Sequence, residues 1–354
     1  MTGRTSAPRL CFVGPLQGAV HSGIVVTQGV RLSRQFRLAG YPVMAISTRL
    51  NRYMRLVDIA ATLARHGRRL DLVIVHVYGG PSFVVEDLAS AIARTRGAQV
   101  IMLLHGGGVP AFFRRFPRWS RRVLSRAAAI VTPSPFLARV VASAGMQARV
   151  IPNFIDTQSY PFRERSALRP RLFWMRTFDP DYNPLMAIEV LRRVRERHPE
   201  AALMMRGQEK GMETEVRRTA EAQGLSGALD LAGFADHPAK LRAGEWADIF
   251  ISTSHVDNMP VAVVEAAAMG MPVVCTAVGG VPDLLTHEST GLLVPDGDAG
   301  AMAAAVLRLL ADPQLAGRLS IAGREMALRS SWDSVRGQWE SLFDEVRSRG
   351  TAVR

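Results

Sequence analysis

The sequence contains only two cysteines, Cys11 and Cys275, and both fall within apolar runs typical of strands. We interpret them as small buried hydrophobic residues rather than as a disulfide or metal ligands. No run of about 18 uncharged apolar residues occurs, which argues against a membrane-spanning helix. The first ten residues lack the apolar centre of a secretory signal. We therefore expect a cytoplasmic protein whose membrane contact, if any, is peripheral and at the inner face.

Lysine is also scarce, since Lys210 and Lys240 are the only two among the 44 basic residues. Residues 1–160 hold 21 Arg and 5 acidic residues, whereas residues 161–354 hold 23 basic and 26 acidic residues, so the net charge of +13 resides in the first half. This asymmetry favours an anionic partner for the first half. The alternative is that arginine only keeps the surface soluble. We expect no nucleic acid, because the sequence has no recognisable module that binds it.

The chain of 354 residues is longer than one hydrophobic core usually supports, which is roughly 250–300 residues. Apolar runs alternate with helical patterns in both halves, which predicts α/β domains. We place the first domain at residues 1–160 and the second at 161–330, with a polar, proline-bounded linker over residues 157–170.

The most informative stretch, residues 249–285, alternates strand, loop and helix. An apolar run over 249–252 leads to a polar loop, and Pro260 falls in the predicted first turn of the next helix. Gly270 ends that helix. The apolar run over 272–275 predicts a strand that is buried on both faces of a parallel sheet.

Two carboxylates stand out in this apolar stretch, Asp257 and Glu265. Glu265 shares a helix face with Val261 and Ala268, which predicts that it is partly buried. A buried glutamate needs a polar partner, and the hydroxyl groups of a ribose would serve. Asp257 lies beside a helix N-terminus, whose N–H groups and dipole suit phosphate or sugar oxygens. The alternative is an internal salt bridge for Glu265 and a helix-capping role for Asp257.

The pattern of Asp257, Glu265, Gly270 and Gly279-Gly280 resembles the signature of the family-4 retaining glycosyltransferases. That family has the GT-B fold, which implies α/β architecture with two Rossmann-like domains facing each other across a cleft. It also implies that an amphipathic helix over about 331–349 crosses back onto the first domain. The implied reaction moves a sugar from a nucleotide diphosphate sugar to an acceptor hydroxyl, with retention at the anomeric carbon. Such reactions build glycans, glycolipids and glycoconjugates.

The resemblance also assigns roles to single residues. In it, Glu265 holds the ribose, Arg176 holds the diphosphate, and Asp257 binds hydroxyls of the donor sugar. The family usually has Glu where this chain has Asp257, and a lysine where this chain has Tyr182-Asn183, which can hydrogen-bond a phosphate but cannot neutralise it. The donor-binding residues implied are Arg176, Tyr182, Asn183, Asn258, Met259, Pro260, Val261 and Glu265.

Two histidines, His76 and His105, lie at the carboxyl ends of predicted parallel strands, where open α/β sheets bind ligands. The resemblance implies that His105 contacts the donor sugar near the reacting carbon, so His105 and Asp257 are the candidate catalytic residues. A loop after the first strand resembles the family loop that approaches the diphosphate and the acceptor. The candidates for this acceptor and diphosphate region are Gly18, His21, Gly23 and His76.

We expect no cofactor beyond the nucleotide diphosphate sugar as co-substrate, and no metal, because no spacing of histidine and carboxylate is typical of a zinc site. The expected partners are a nucleotide sugar and a glycan or lipid-linked acceptor. Two other functions stay open. A nucleotide-sugar epimerase of the same fold would need no acceptor, and the absent lysine favours a non-catalytic protein that binds nucleotide sugars or glycans.

The segment over residues 111–126 holds six arginines among four aromatic residues. On or beside a helix, these side chains would form a surface suited to anionic lipid headgroups. The alternative is a solvated helix whose aromatic residues belong to the core. Peripheral contact with an anionic membrane through 111–126 is therefore a hypothesis that competes with a structural one.

Overall fold

The computed structural model describes residues 7–19 and 25–352, and the chain forms two compact units. The first unit contains the residues up to Phe154 together with those from Trp332 onward. The second unit is Ile155–Ser331. Residues 155–160, which the sequence analysis assigns to the first domain, thus lie in the second unit. The backbone N–H of Ile155 donates to the carbonyl oxygen of Ser330 at 2.8 Å, which joins the two ends of that unit.

The first unit alternates strands and helices. Its strands are β1 (Leu10–Val13), β2 (Val43–Ile46), β3 (Leu72–Val77), β4 (Gln99–Leu104), β5 (Ala129–Thr132) and β6 (Arg149–Val150). Between them lie α1 (Gln28–Leu38), α2 (Arg52–His66), α3 (Phe83–Thr95), α4 (Val109–Arg115), α5 (Pro117–Leu124) and α6 (Pro135–Ser143).

The second unit repeats this alternation, and a last helix returns to the first unit. The strands are β7 (Arg171–Met175), β8 (Ala202–Arg206), β9 (Leu229–Leu231), β10 (Ile249–Ser252), β11 (Val273–Thr276) and β12 (Leu292–Val294). The helices are α7 (Pro184–Arg195), α8 (Glu213–Ala222), α9 (His237–Trp246), α10 (Val261–Ala268), α11 (Val281–Leu284), α12 (Ala299–Ala311), α13 (Pro313–Leu328) and, in the first unit, α14 (Trp332–Ala352).

Both sheets are parallel throughout their described strands. The first has the order β2-β1-β3-β4-β5-β6 and the second β12-β11-β10-β7-β8-β9. The direction of strand addition reverses between β1 and β3 in the first sheet, and between β7 and β10 in the second. Open parallel sheets bind ligands at the carboxyl ends of strands beside such a reversal. The topology therefore marks one candidate edge in each unit.

The strands are continuous apolar runs because helices cover both faces of each sheet. In the second unit, one face packs on α7, α8 and α12, and the other packs on α9 and α10. Cys11 in β1 and Cys275 in β11 are buried free thiols of different units, which confirms the expectation that they form no disulfide. None of the helices in the described part of the chain combines the length and apolar character that crossing a bilayer needs.

Helix α14 covers one face of the first sheet. Its side chains Val335, Trp339, Leu342, Phe343 and Val346 recur at helical spacing and are buried. They belong to the same core as the buried residues of α1 and β1. This helix is therefore an integral part of the first unit.

The segment predicted as a linker, residues 157–170, is fixed within the second unit. Arg163 and Arg169 pair with Asp248 at 2.8 and 2.7 Å, and the Asp248 side chain is buried. Arg165 is also buried, and its guanidinium donates to backbone carbonyl oxygens of the same unit. The prediction of a linker was wrong, because polar composition alone does not reveal that these arginines have buried partners.

Candidate functional site

The candidate donor residues follow the two strands at which the second sheet reverses. Arg176 comes directly after β7, and Thr253 comes directly after β10, so both lie at the carboxyl edge of adjacent strands. The loop after β10 then leads to Asp257 and the first turn of α10. The fold thus brings together residues that are about 80 positions apart in the chain.

Arg176 and Asp257 form an ion pair in which both side chains are mostly buried. Burial raises the pKa of Asp257, and the positive charge of Arg176 opposes that shift. The backbone N–H of Asn258 donates to the same carboxylate at 2.8 Å. The Nε atom of Arg176 is buried without a hydrogen-bond partner. The family resemblance implies separate ligand contacts for the two residues, whereas in the structure each is the counter-ion of the other.

Gly279 explains part of the glycine pattern in the sequence. It has a positive φ of 53°, and a Cβ atom there would lie 1.9 Å from the carbonyl oxygen of Asp257. The next residue, Gly280, donates its backbone N–H to that same oxygen at 3.1 Å. The loop after β11 can therefore approach and fix the Asp257 backbone only when position 279 has no side chain.

Glu265 lies in α10 and is fully buried, as its helix face predicts. Its carboxylate accepts from the Nζ atom of Lys240 in α9 at 2.6 Å. The sequence analysis names an internal salt bridge as the alternative to a ribose contact, and the structure contains that bridge. Lys240 itself was missed, although it is one of only two lysines in the chain.

The Tyr182-Asn183 segment is held by hydrogen bonds from Thr253, the residue that follows β10. The Oγ1 atom of Thr253 lies 2.9 and 2.8 Å from the carbonyl oxygens of Tyr182 and Asn183. The Tyr182 ring lies beside Arg176, with 5.3 Å between the guanidinium carbon and the ring centroid. Asn183 has a positive φ of 44°, and its side chain accepts from the N–H of Met186 at the start of α7. Asn183 is thus a helix cap, a local role that its position before Pro184 could have indicated.

Helix α10 begins after Pro260, which the sequence pattern places in the first turn of the helix. Pro260 is the residue that precedes the helix, with ψ of 105°, and Val261 is the first helical residue. Asn258 and Met259 are buried in the preceding turn. No side chain caps this helix end. The turn brings the positive end of the helix dipole to the edge where Arg176 lies.

In the first unit, the structure brings His76 and His105 together. The Nδ1 atom of His76 lies 2.8 Å from Nε2 of His105, and the two rings are nearly parallel. The ring of Tyr78 stacks on His105, with 5.0 Å between the centroids. Burial lowers the pKa of both histidines, to about 3 for His76. Two neutral imidazoles therefore lie at the carboxyl edge of β3 and β4.

Glu86 is a buried acid that the sequence analysis missed. It lies in the first turn of α3 and accepts from the backbone N–H of Tyr78 at 3.0 Å. Its Oε2 atom is buried without a hydrogen-bond partner. Burial raises the pKa of Glu86 to about 8. The acid fixes the loop that carries Tyr78, and no motif in the sequence marks it.

The loop after β1 is described only in part. His21 and Gly23 lie outside the described residues. Gly18 lies in a short turn, and a Cβ atom there would come within 2.6 Å of the carbonyl oxygen of Val25. Gly18 therefore permits a close approach between the two described ends of this loop.

The segment over residues 111–126 forms α4 and α5, and its aromatic residues divide into two groups. Phe112 and Phe113 are buried in the core, as the alternative of a helix with core aromatics expects for them. Trp119 is half-buried and donates to Asp87, whereas Phe116 is 39% exposed. The exposed arginines of this segment are Arg114, Arg115, Arg118, Arg121 and Arg122.

The described residues contain no group of three or more histidine, cysteine or acidic side chains arranged to hold a metal ion. The first unit supplies two neutral imidazoles, and the second unit supplies ion pairs and a helix N-terminus. These groups can bind phosphate and hydroxyl oxygens and can donate or accept hydrogen bonds.

Two parallel six-stranded sheets of this order define two Rossmann-like units, the architecture of the GT-B fold. The family model described as glycosyl transferases group 1 matches residues 161–326, and the model described as glycosyltransferase family 4 matches residues 17–159. The two matches together cover most of the chain. The chain therefore belongs to the family-4 GT-B glycosyltransferases.

Solved structures show the same fold. The chain is similar to sucrose-phosphate synthase from Thermosynechococcus elongatus, with a TM-score of 0.78 and 20% identity, over 97% of this chain and 100% of that one. It is also similar to HepE from Anabaena in complex with UDP-glucose, with a TM-score of 0.76 and 16% identity, over 96% of this chain and 100% of that one.

A curated relative is the phosphatidyl-myo-inositol mannosyltransferase of Mycobacterium leprae, which is 29% identical over 216 residues. The alignment includes 59% of this chain and 57% of that protein. The chain thus spans little more than half the length of this relative, and as little as 22% of another.

Proposed function

We propose that this chain is a retaining glycosyltransferase that moves a sugar from a nucleotide diphosphate sugar to an acceptor hydroxyl, in the synthesis of a glycan or glycolipid. The observation that carries the proposal is the edge of the second sheet at its strand reversal. Arg176, Asp257 and the first turn of α10 converge there, next to the buried Glu265. A cation and a helix N-terminus at one edge suit a diphosphate, and the carboxylates suit hydroxyl groups.

Donor binding in this proposal requires an exchange of partners. The diphosphate would compete with Asp257 for the guanidinium of Arg176, because both ligands are anionic. Once released, the Asp257 carboxylate is able to accept from hydroxyl groups of the donor sugar. The leaving diphosphate is then stabilised by Arg176 and the α10 N-terminus, which oppose the charge that develops as the glycosidic bond breaks. This scheme assigns no step to a metal ion.

Glu265 is proposed to accept from the donor ribose while it keeps its bond to Lys240. A carboxylate has several acceptor positions, so one oxygen can serve a lysine while the other serves a hydroxyl. Tyr182 and the turn over 258–261 are proposed to contact the donor as well. In the first unit, His105 is proposed to serve the reacting sugar, and Gly18, His21, Gly23 and His76 belong to the proposed acceptor and diphosphate region.

The first test is which donor the protein binds. The purified chain is screened by thermal shift with UDP-, GDP-, ADP- and dTDP-sugars, beginning with UDP-glucose, the ligand that the HepE structure contains. Binding to the folded state raises the unfolding temperature, and the rise increases with the ratio of ligand concentration to Kd. Failure of every nucleotide sugar to shift that temperature would contradict the proposal.

The second test is the reaction. With the donor found, an added acceptor should yield a glycoside that keeps the donor's anomeric configuration, and activity should survive EDTA. An inverted first product, seen by NMR, would contradict the retaining mechanism. Loss of activity in EDTA that added metal restores would contradict the metal-independent scheme. Release of an altered nucleotide sugar without acceptor would favour an epimerase, and binding without any turnover would favour a non-catalytic protein.

An anionic membrane is the further partner that we propose, through the first unit. Helix α2 has an exposed apolar stripe formed by Leu50 just before it and by Tyr53, Met54 and Val57, each more than half exposed. Amphipathic helices normally bury such a stripe. Arg52 lies beside the Tyr53 ring, and more exposed arginines lie on α4 and α5. Apolar and cationic side chains together suit anionic lipid, where a lipid-linked acceptor would also lie.

A further inference from the structure

The two ring nitrogens of His76 have different surroundings. On one side, its Nδ1 atom is within 2.8 Å of Nε2 of His105. On the other side, its Nε2 atom is buried without a hydrogen-bond partner. His76 is 2% exposed and His105 6% exposed, so water reaches neither ring freely. The surrounding protein therefore determines which ring nitrogens of this pair are protonated.

The hydrogen bond between the rings contains a single proton. Burial lowers the pKa of both imidazoles, so neither is an imidazolium near neutral pH. In one arrangement, Nδ1–H of His76 donates to a bare Nε2 of His105. In the other, Nε2–H of His105 donates to a bare Nδ1 of His76, and the proton of His76 then sits on Nε2. The surroundings of His76 Nε2 decide between the two.

His76 Nε2 lies against the first turn of α1. A Cβ atom at Gly29, the second residue of that helix, would lie 2.9 Å from this nitrogen. The start of an α-helix carries a positive partial charge and N–H groups that point outward. A proton on His76 Nε2 would be a buried donor without an acceptor, next to this positive end of the helix. A lone pair there is the arrangement of lower energy.

We propose that His76 is a positioning residue that holds His105 as its Nδ1–H tautomer. Because His76 keeps its proton on Nδ1 and donates it, His105 Nε2 must accept, and the proton of His105 resides on Nδ1. The Tyr78 ring, stacked at 5.0 Å, restrains the plane of the same imidazole. Given the proposed function, on which this role rests, His105 would offer the reacting sugar a hydrogen-bond donor from a fixed nitrogen.

The direct test is an NMR measurement on the ligand-free full chain. Long-range correlation of the ring nitrogens and carbon-bound protons distinguishes protonated from bare imidazole nitrogens, and loss of signals in His105→Ala and His76→Asn assigns them. We expect Nδ1 protonated and Nε2 bare in both rings. A wild-type His105 protonated on Nε2 would overturn the proposal, whether or not the protein transfers any sugar.

Two substitutions at position 76 distinguish a role of His76 in orienting His105 from a role in packing alone. The amide of His76→Asn can donate from nearly the place of Nδ1–H, so His105 should keep its tautomer, and kcat should be higher than in His76→Phe. His76→Phe fills the space but cannot donate, so part of His105 should move its proton to Nε2. A molecule whose His105 has moved its proton lacks one transition-state donor, which lowers its kcat by about a hundredfold. The measured kcat should therefore fall with the fraction of molecules that have moved it, and the KM for the donor should change little.

Equal kcat in the Asn and Phe variants, or an unchanged His105 tautomer in the Phe variant, would overturn the role of His76. If the wild-type tautomer is as expected but no sugar transfer is found, only the proposed function fails. If transfer occurs and the tautomer is the opposite one, only this inference fails. Should the Phe variant not fold, the wild-type and Asn spectra still decide.

Discussion

The Nζ atom of Lys240 lies 2.6 Å from a carboxylate oxygen of Glu265, and the acid is almost completely buried. Loss of one partner from a buried ion pair lowers stability by about 3–5 kcal/mol, because the remaining charge loses an attraction that offset the cost of its burial. Lys240→Met should therefore lower the free energy of unfolding by about this amount, as measured by urea denaturation. The exposed Lys210→Met is the matched control and should have wild-type stability.

The double variant Lys240→Met with Glu265→Gln removes both charges, so it should regain most of the lost stability. Wild-type stability of Lys240→Met alone would contradict the structural role of the pair. If Glu265 also binds the ribose, Glu265→Gln should weaken donor binding in calorimetry even though the protein is folded. Unchanged donor affinity would refute the ribose contact.

The pairing of Arg176 with Asp257 predicts opposite effects of two substitutions on the binding of a nucleoside diphosphate. A charge-assisted contact contributes about 1.5–3 kcal/mol, so Arg176→Ala should weaken binding about tenfold or more. Asp257→Asn should strengthen it, because the guanidinium loses its competing anion, and should lower sugar transfer. Calorimetry with UDP or the nucleotide found by screening gives both affinities.

Arg218→Ala, which removes an arginine that is 78% exposed in the same unit, is the control for general loss of positive charge. A change below about threefold for Arg176→Ala, roughly 0.7 kcal/mol, would count against a diphosphate contact. Weaker binding in Asp257→Asn would contradict the exchange of partners.

The raised pKa of the buried Glu86 predicts that the stability of the protein depends on pH. Its pKa is raised to about 8 in the folded protein by burial, against about 4.3 for an unperturbed glutamate. Between these values the folded state binds the extra proton, so the free energy of unfolding should fall as pH rises. The contribution is at most about 1.4 kcal/mol per pH unit, and the stability is fully present below about pH 4.

Urea denaturation at several pH values from about 5 to 8 measures this slope. Glu86→Gln should flatten it and should be more stable than wild type at the upper end of the range. The exposed Glu325→Gln is the control and should keep the wild-type slope. Identical slopes in wild type and Glu86→Gln would show that Glu86 is ionised in the folded protein.

Liposome co-sedimentation tests the membrane proposal. The wild-type protein should pellet with vesicles rich in anionic lipid, less with neutral vesicles, and less as salt rises. Each basic residue near such a surface contributes about 1 kcal/mol, so changing Arg114, Arg115, Arg121 and Arg122 to Glu should abolish binding if α4 and α5 dock.

Changing Tyr53, Met54 and Val57 to Ser tests α2 separately, and these exposed positions should tolerate the change without loss of stability. Loss of binding in this variant alone would assign docking to α2 rather than to residues 111–126. Equal pelleting with neutral and anionic vesicles, or none with either, would contradict an electrostatic membrane contact.

Local sequence patterns predicted the strands well, because a strand covered on both faces must be apolar along its length. β10 at Ile249–Ser252 has the predicted bounds. The predicted burial of Glu265 is also confirmed, since helical spacing fixes which face a residue occupies.

The partners of the charged residues could not be predicted in this way. Lys240 and Glu265 lie on different helices, and Arg176 and Asp257 are 81 residues apart. Such contacts depend on strand order, which single-sequence patterns do not determine. The adjacency of His76 and His105 was easier to predict, because both residues were expected at carboxyl ends of parallel strands. The burial of Phe112 and Phe113 could not be decided from the sequence, because aromatic residues among arginines give the same pattern whether they face lipid or the core.

The place of α14 has a consequence for how the protein is made. The first unit cannot close its core until the ribosome has synthesised the whole second unit, because Trp339 and Phe343 pack beside Phe36 from α1. At about 5–20 residues per second, the delay between residues 154 and 352 is roughly 10–40 s. During that interval one apolar face of the first sheet is open to other nascent chains and to chaperones. The second unit, continuous in sequence from Ile155 to Ser331, has no such wait.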